Sequence, residues 1–169
     1  MLEKAANYFL IGACIAFMAA MGTYAKRQLG GVAPRAVISS APDFKVGQSA
    51  AKIDGVDASK PTLVLGISPT CSFCKRDIPI YQQLARTKKV IEGSVHMVTI
   101  LPAEPARQAT AFVTENRIPG AVRVAHEAKD FPFRGTPTIL LLDEKHVVVW
   151  VWMGSLTPEA KNELMGRLG

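Results

Sequence analysis

The sequence predicts an α/β domain in which helices flank a mixed central sheet, preceded by one N-terminal transmembrane helix. Three observations lead to this prediction. Short apolar runs of β type alternate with segments of helical periodicity. Near the end of the chain, two apolar runs flank a short polar turn, which indicates an antiparallel hairpin within the same sheet. The start of the chain holds a long stretch without charge.

The N-terminal apolar segment, Ala5 to Ala25, is long enough to cross a bilayer. It carries no charge, and at about 1.5 Å per residue such a helix spans roughly 30 Å. We predict a transmembrane anchor in residues 1–25, with Cys14 as one of its apolar residues, a linker in 26–40 and the folded domain in 41–169. A cleaved signal peptide is the alternative, although its apolar region usually has about 7 to 15 residues.

The folded domain contains, in order, strand, helix, strand, helix, hairpin and helix. β-branched apolar runs mark the strands, and apolar residues three and four apart mark the helices. Thr157-Pro158-Glu159 suits the start of the last helix, as N-cap, first-turn proline and dipole-matched acid. The predicted strands are 61–67, 94–101, 121–125, 138–142 and 147–152, and the predicted helices are 75–89, 104–116 and the one after Thr157.

The stretch Cys71-Ser72-Phe73-Cys74 lies between the first of these strands and the helix that follows it. Two thiols at this spacing can close a small disulfide ring or hold a metal. The first cysteine falls where a strand passes into a helix N-terminus, whose unpaired amides and positive dipole end favour a thiolate. We therefore predict a redox-active dithiol in which Cys71 is the nucleophile and Cys74 the resolving thiol.

A buried, inert pair and a zinc half-site are the alternatives for the two cysteines, and the histidines do not favour zinc. Zinc needs two more ligands. His96 is predicted inside a strand, and neither His126 nor His146 supplies a second close-spaced pair. We therefore predict no metal and no cofactor apart from the redox-active disulfide.

The formal net charge of +6 lies in residues 26–169, because Glu3 and Lys4 cancel within the first 25 residues. Basic runs interleaved with aromatic residues are missing from the sequence, so we predict no nucleic-acid binding. A solvated basic surface is the plainer interpretation of the charge, and attraction to an acidic partner is the other.

Several motifs make the domain similar to the thioredoxin fold. Cys71–Lys75 looks like the CxxCK motif of that family, and Pro79 matches the proline that kinks its active-site helix. Phe131–Thr138 resembles the loop that ends in a cis-proline, which would be Pro137, and Gly154 after the hairpin fits as well. The resemblance covers roughly residues 41–169.

This resemblance implies thiol-disulfide exchange with a disulfide-containing client protein. Cys71 would attack the client disulfide, and Cys74 would resolve the mixed disulfide. Because Pro137 has no N–H, the sulfur-bearing strand of the client could lie against the backbone of Thr136.

Finer features resemble one branch of the family. The N-terminal anchor, Ala41–Phe44, and an acid three residues after Cys74 are similar to the membrane-tethered TlpA/ResA-type thiol-disulfide oxidoreductases. Ser68–Cys71 ahead of a Cys-Lys pair looks like the MauD proteins of methylamine utilisation. The resemblance implies a client of the cytochrome c or methylamine dehydrogenase maturation type and an electron partner in the membrane or periplasm.

Two positions depart from the thioredoxin pattern. Thr70 stands where thioredoxins usually have Trp, and Leu65 stands where they bury an acid. Without that acid, the proton that leaves Cys74 during exchange needs another acceptor. Asp77, one helical turn further on, and water are the candidates.

Two other functions fit parts of the sequence. Ala41–Phe44 also opens peroxiredoxins, but these have Thr three residues and Pro seven residues before the peroxidatic cysteine, where this chain has Ser68 and Val64. The other alternative is a tethered binding or chaperone module whose thiols anchor a client without turnover.

The orientation of the anchor rests on two opposing arguments. Lys26, Arg27 and Arg35 follow the apolar segment whereas Lys4 precedes it, so the positive-inside rule favours a cytoplasmic domain. That rule is weak for long translocated domains, and dithiol chemistry on a tethered domain suits an oxidising compartment. We predict a single-pass inner or cell membrane protein with its catalytic domain on the periplasmic or extracytoplasmic side.

Overall fold

The computed structural model describes most of the predicted folded domain. The described residues are 44–53, 55–56, 59–103 and 106–169, and they belong to one compact unit within residues 41–169. The predicted anchor and linker lie outside the described residues. Within the described ranges, no helix combines the length and the apolar character needed to cross a membrane.

A five-stranded mixed sheet forms the centre of this unit, as the sequence predicts. Its order is β3-β2-β1-β4-β5, with β1, β2 and β3 parallel and the β1–β4 and β4–β5 pairs antiparallel. The central strand β1 is buried along its whole length, which explains its continuous apolar run. The strands are β1 (Thr62–Gly66), β2 (His96–Leu101), β3 (Ala121–Val124), β4 (Thr138–Leu142) and β5 (Val148–Met153).

Helices α1 (Ser72–Arg76) and α2 (Ile78–Leu84) follow β1. The segment 75–89, predicted as one helical stretch, is divided at Asp77 and again after Leu84. Pro79 lies in the first turn of α2, where its missing N–H cannot continue the hydrogen bonds of α1. The remaining helices are α3 (Lys88–Ile91), α4 (Ala106–Glu115) and α5 (Pro158–Leu168), and Ala128–Asp130 forms a turn of 3-10 helix.

The core has two layers because β1 points alternate side chains to opposite faces of the sheet. Leu63 and Leu65 pack with the helices α1, α2, α4 and α5, whereas Val64 packs with side chains on the other face. The last helix begins as predicted, since the Thr157 hydroxyl oxygen accepts from the Ala160 N–H at 3.3 Å. Core side chains cover both faces of the sheet, and the dithiol segment follows β1 at its C-terminal end.

Candidate active site

Cys71 caps the N-terminus of α1 immediately after the loop that leaves β1. Its backbone is extended (φ −82°, ψ 114°), and its Sγ accepts a hydrogen bond from the Cys74 N–H at 3.1 Å. The same Sγ lies 3.3 Å from the carbonyl oxygen of Thr136, to which the thiol donates. The Cys71 side chain is half-buried, so the sulfur is reachable from solvent while a backbone amide supports its charged form.

Cys74 lies one turn into the helix and is completely buried. Burial raises the pKa of the Cys74 thiol well above its usual range, and the neighbouring Cys71 sulfur raises that pKa further. Both cysteines are free thiols in this structure. The two predicted redox residues therefore differ in access to solvent, and burial disfavours the charged form of Cys74.

The loop before β4 covers the dithiol from the other side. Its Thr136–Pro137 peptide bond is cis, as predicted, and the Pro137 carbonyl accepts from the Gly154 N–H at 2.8 Å. The Phe133 ring of the same loop packs directly on Gly66, where it leaves no room for a Cβ atom. These contacts fix the position of the Thr136 carbonyl beside the Cys71 sulfur.

Asp77 is buried at the break between α1 and α2, with 3% of its surface exposed. Its carboxylate accepts from the Ser155 hydroxyl at 2.6 Å and from the Leu156 N–H at 3.2 Å. The Arg76 Nε lies 3.7 Å from the same carboxylate. Asp77 thus joins the dithiol helix to the segment after β5. Its predicted role as the proton acceptor for Cys74 stays a prediction.

Tyr81 is a site residue that the sequence analysis missed. Its side chain is fully buried, and its hydroxyl has no hydrogen-bond partner among the residues that the structure describes. The pKa of the Tyr81 hydroxyl is raised by burial first and then by the negative charges of Cys74, Asp77 and Cys71. The sequence held one signal that could have identified it. Cys74, Asp77 and Tyr81 are three and then four residues apart, a spacing typical of one helix face.

The two departures from the thioredoxin pattern have clear structural outcomes. Leu65, at the position of the usual buried acid, is completely buried in the same apolar cluster as Cys74. Thr70, at the position of the usual Trp, forms a local turn in which its N–H and hydroxyl both lie within 3.2 Å of the Ser68 hydroxyl oxygen. The polar groups beneath Cys74 therefore come from α2 and its N-terminus.

Phe73, between the two cysteines, is 38% exposed. The Arg76 guanidinium lies over its ring at 5.0 Å from the centroid, a cation–π contact that orients both side chains. Lys75 beside them is exposed. The surface next to Cys71 is thus partly aromatic and positively charged.

The histidines do not join the dithiol in a metal site. Among residues 44–53, 55–56, 59–103 and 106–169, no group of three or more His, Cys, Asp or Glu side chains could hold a metal ion. His96 lies at the start of β2, as predicted, at the end of the sheet away from the cysteines, since it pairs with Thr62 at the beginning of β1.

Comparison with known proteins identifies the fold. No family profile matches the chain, and no curated protein sequence matches it. Among solved structures, StoA from Bacillus subtilis is 19% identical with a TM-score of 0.51, over 64% of this chain and 84% of StoA. A secreted disulfide oxidoreductase from Mycobacterium tuberculosis, homologous to E. coli DsbE, is 16% identical with a TM-score of 0.52, over 65% and 81%.

A thiol:disulfide interchange protein of the thioredoxin family from Chlorobium tepidum is also similar. It is 18% identical with a TM-score of 0.53, over 66% of this chain and 81% of that protein. The likeness is one of backbone arrangement, because fewer than one residue in five is identical. The described part of the chain has the thioredoxin-like α/β fold that its motifs resemble.

Proposed function

We propose that this chain is a thiol-disulfide oxidoreductase that exchanges disulfides with client proteins through Cys71 and Cys74. One observation carries the proposal: two free thiols share one helical turn but differ in environment. Cys71 is accessible and accepts a backbone N–H, whereas Cys74 is completely buried. An attacking thiol and a resolving thiol need this difference.

The reaction has two steps in which thiols and disulfides exchange. In the first, the Cys71 thiolate attacks one sulfur of the client disulfide, the client S–S bond breaks, and the released client sulfur takes a proton. In the second, Cys74 gives up its proton to a base, which we assign to Asp77, and its sulfur attacks Cys71. The Cys71–client bond breaks, the second client sulfur is protonated, and a Cys71–Cys74 disulfide remains. The client is reduced by two electrons and the dithiol is oxidised, and the reverse sequence oxidises a client.

The Thr136–Pro137 loop supplies the docking edge in this proposal. The Thr136 carbonyl faces the Cys71 sulfur, and Pro137 has no N–H that would compete for a neighbouring strand. An extended client segment can therefore align its cysteine with Cys71 by backbone contact at Thr136. Recognition by backbone suits clients of differing sequence.

The first prediction concerns the two cysteines. We expect Cys71→Ser to reduce turnover of insulin disulfides, with dithiothreitol as reductant, to below about one hundredth of the wild-type rate, because a hydroxyl does not replace the attacking thiolate. We expect Cys74→Ser to accumulate a mixed disulfide between Cys71 and insulin, visible on non-reducing gels. Unchanged turnover in Cys71→Ser would contradict the mechanism. Peroxide consumption at a comparable rate would favour the peroxidase, and binding without turnover would favour the tethered module.

The cellular context is also part of the proposal. We propose that residues 1–25 anchor the protein in the inner or cell membrane and that the catalytic domain lies on the periplasmic or extracytoplasmic side. The uncharged stretch supports the anchor, and the oxidising conditions outside the cytoplasm suit a dithiol that cycles. Protease accessibility of the domain in intact spheroplasts tests this orientation.

The proposed clients are proteins whose cysteines must be reduced or paired during maturation. The sequence resemblance favours apocytochromes c and the small subunit of methylamine dehydrogenase, with an electron partner in the membrane or periplasm. Affinity purification of the Cys74→Ser variant, followed by reduction and mass spectrometry of the released proteins, identifies the client.

A further inference from the structure

The hydroxyl of Tyr81 is a polar group placed in the apolar core without a hydrogen-bond partner among the described residues. A buried hydroxyl in this state destabilises a fold, because it has lost its water and gained nothing in return. A phenylalanine ring would fill the same space without this penalty. The stability of the resting protein therefore does not explain why this position has a hydroxyl group.

Tyr81 shares one buried face with the resolving cysteine. Cys74, Asp77 and Tyr81 are spaced three and four residues apart, and each is at most 3% exposed. The helical turn between the last two is continuous, since the Tyr81 N–H donates to the Asp77 carbonyl at 3.1 Å. The groups that act electrostatically on the Tyr81 hydroxyl are Cys74, Asp77 and Cys71, and Arg76 neutralises part of the Asp77 charge from outside.

We infer that Tyr81 is a positioning residue for the second step, in which its hydroxyl donates a hydrogen bond to the Cys74 sulfur as that sulfur becomes a thiolate. This inference rests on the proposed function and deepens it. Cys74 must ionise inside an apolar pocket, and β1 offers Leu65 rather than an acid at the nearest strand position. A neutral hydroxyl can stabilise the sulfur anion there without adding charge.

Tyr81 acts as a donor and does not take up the proton. Burial, and then repulsion from the ionised forms of Cys74, Asp77 and Cys71, raises the pKa of the hydroxyl, so the phenol keeps its O–H at every pH at which the protein works. In the resting dithiol, Cys74 is a neutral thiol and offers a weak acceptor. The hydroxyl gains its partner when the Cys74 proton leaves and its sulfur attacks Cys71.

The test separates the two steps of exchange with dithiobis(nitrobenzoate). Cys71 attacks the reagent and releases one coloured thiolate; Cys74 then attacks Cys71 and releases the second. We expect Tyr81→Phe to slow the second phase by about ten- to a hundredfold, the effect of one hydrogen bond to a charged sulfur, and to leave the first phase unchanged. In the Asp77→Asn background, where the Cys74 proton is lost to solvent, we also expect Tyr81→Phe to need a higher pH for the second phase to reach a given rate.

A second readout distinguishes this role from a structural one. Because the unpaired hydroxyl destabilises the resting fold, Tyr81→Phe should raise the melting temperature by about 2–4 °C while it slows the second phase. Thr62→Val is the matched control, since it removes a buried hydroxyl at the opposite end of β1 that donates to the Lys60 carbonyl at 3.2 Å. Thr62→Val should leave both phases unchanged.

The outcomes that overturn the inference are distinct from those that overturn the proposed function. A second phase in Tyr81→Phe as fast as in the wild type, with Cys74→Ser lacking that phase, would overturn the role of Tyr81 and leave the exchange mechanism in place. A wild-type protein that releases no second thiolate would overturn both.

Discussion

The two cysteines are the same residue type three positions apart, and their neighbours give them different chemistry. Cys71 is an N-cap, so it meets free backbone N–H groups and the solvent. Cys74 is one turn further on and faces the core, where burial keeps it as a thiol. The division that we propose between attacking and resolving thiol would thus be a consequence of helix geometry.

The raised pKa of Cys74 predicts the pH dependence of the second step. A pKa raised above its ordinary value means that the thiolate is scarce at neutral pH and grows about tenfold per pH unit. In Asp77→Asn, which lacks the assigned base and leaves the Cys74 proton to be lost to solvent, we expect the rate of the second phase with dithiobis(nitrobenzoate) to rise by about tenfold per unit from about pH 6 to pH 9. A rate that levels off below pH 7 would contradict the effect of burial on Cys74.

At the residue scale, the sequence predicted the reacting residues better than the residues that hold them in place. The CxxC spacing and the strand-to-helix position predicted the dithiol, and the motif before β4 predicted cis-Pro137, which is confirmed. The contact of Asp77 with Ser155 joins residues 78 positions apart, and no local pattern indicates such a pair. Tyr81 was not singled out, because a sequence does not show whether a buried hydroxyl has a partner.

At the scale of elements, the strands were easier to predict than the helices. Each strand is a short apolar run bounded by turn residues, and the hairpin around residues 143–146 separates β4 from β5 as expected. The helical stretch after the dithiol is broken at Asp77, although its apolar spacing continues across the break. Periodicity reports which face is buried and does not report whether the hydrogen bonds are continuous. The resemblance of Pro79 to the proline that kinks the active-site helix indicated the first break, and the second break, after Leu84, came from the structure.

Two glycines in different elements predict opposite effects of the same substitution. Gly154, after β5, has φ +92° and open space around its Cα, so Gly154→Ala should lower the free energy of unfolding by about 1–3 kcal/mol through backbone strain alone. Gly166, in α5, also has open space and lacks the positive φ, so Gly166→Ala should raise that free energy by about 0.5–1 kcal/mol. Urea unfolding of both variants measures the two values.

The Gly166→Ala variant serves as the control, because both substitutions add the same methyl group. Equal effects of the two substitutions on the free energy of unfolding would contradict backbone strain at Gly154 as the cause. Since the Gly154 N–H holds the Pro137 carbonyl, Gly154→Ala should also slow insulin reduction, whereas Gly166→Ala should not.

The whole molecule carries a net charge of +6, and part of it lies beside the dithiol. The segments 67–77, 131–138 and 152–157, which supply the site, contain three cations and one acid, the buried Asp77. The cations are Lys75, Arg76 and Arg134. A client with acidic residues near its disulfide should therefore be attracted to this face.

The charge asymmetry predicts a salt-dependent preference among clients. At low ionic strength, a cystine-bridged peptide flanked by Asp should react about tenfold faster than one flanked by Lys, and the difference should shrink at about 1 M salt, where the screening length is about 3 Å. Lys75→Glu should reduce the preference. Lys145→Glu, in the exposed turn at the other end of the sheet, is the control and should leave it unchanged. A preference that is insensitive to salt would contradict this explanation.

The short segment after β5 has a consequence for the order in which the site is completed during synthesis. Gly154 holds the loop with Pro137, and Ser155 and Leu156 hold Asp77. Both walls of the site therefore depend on a piece of chain 80 or more residues after the cysteines. A growing chain exposes Cys71 and Cys74 long before this segment exists. The dithiol is therefore an ordinary pair of exposed thiols on the nascent chain. Cys74 becomes buried, and the Thr136–Pro137 loop takes its place beside Cys71, when the C-terminal part of the chain has been made and folded.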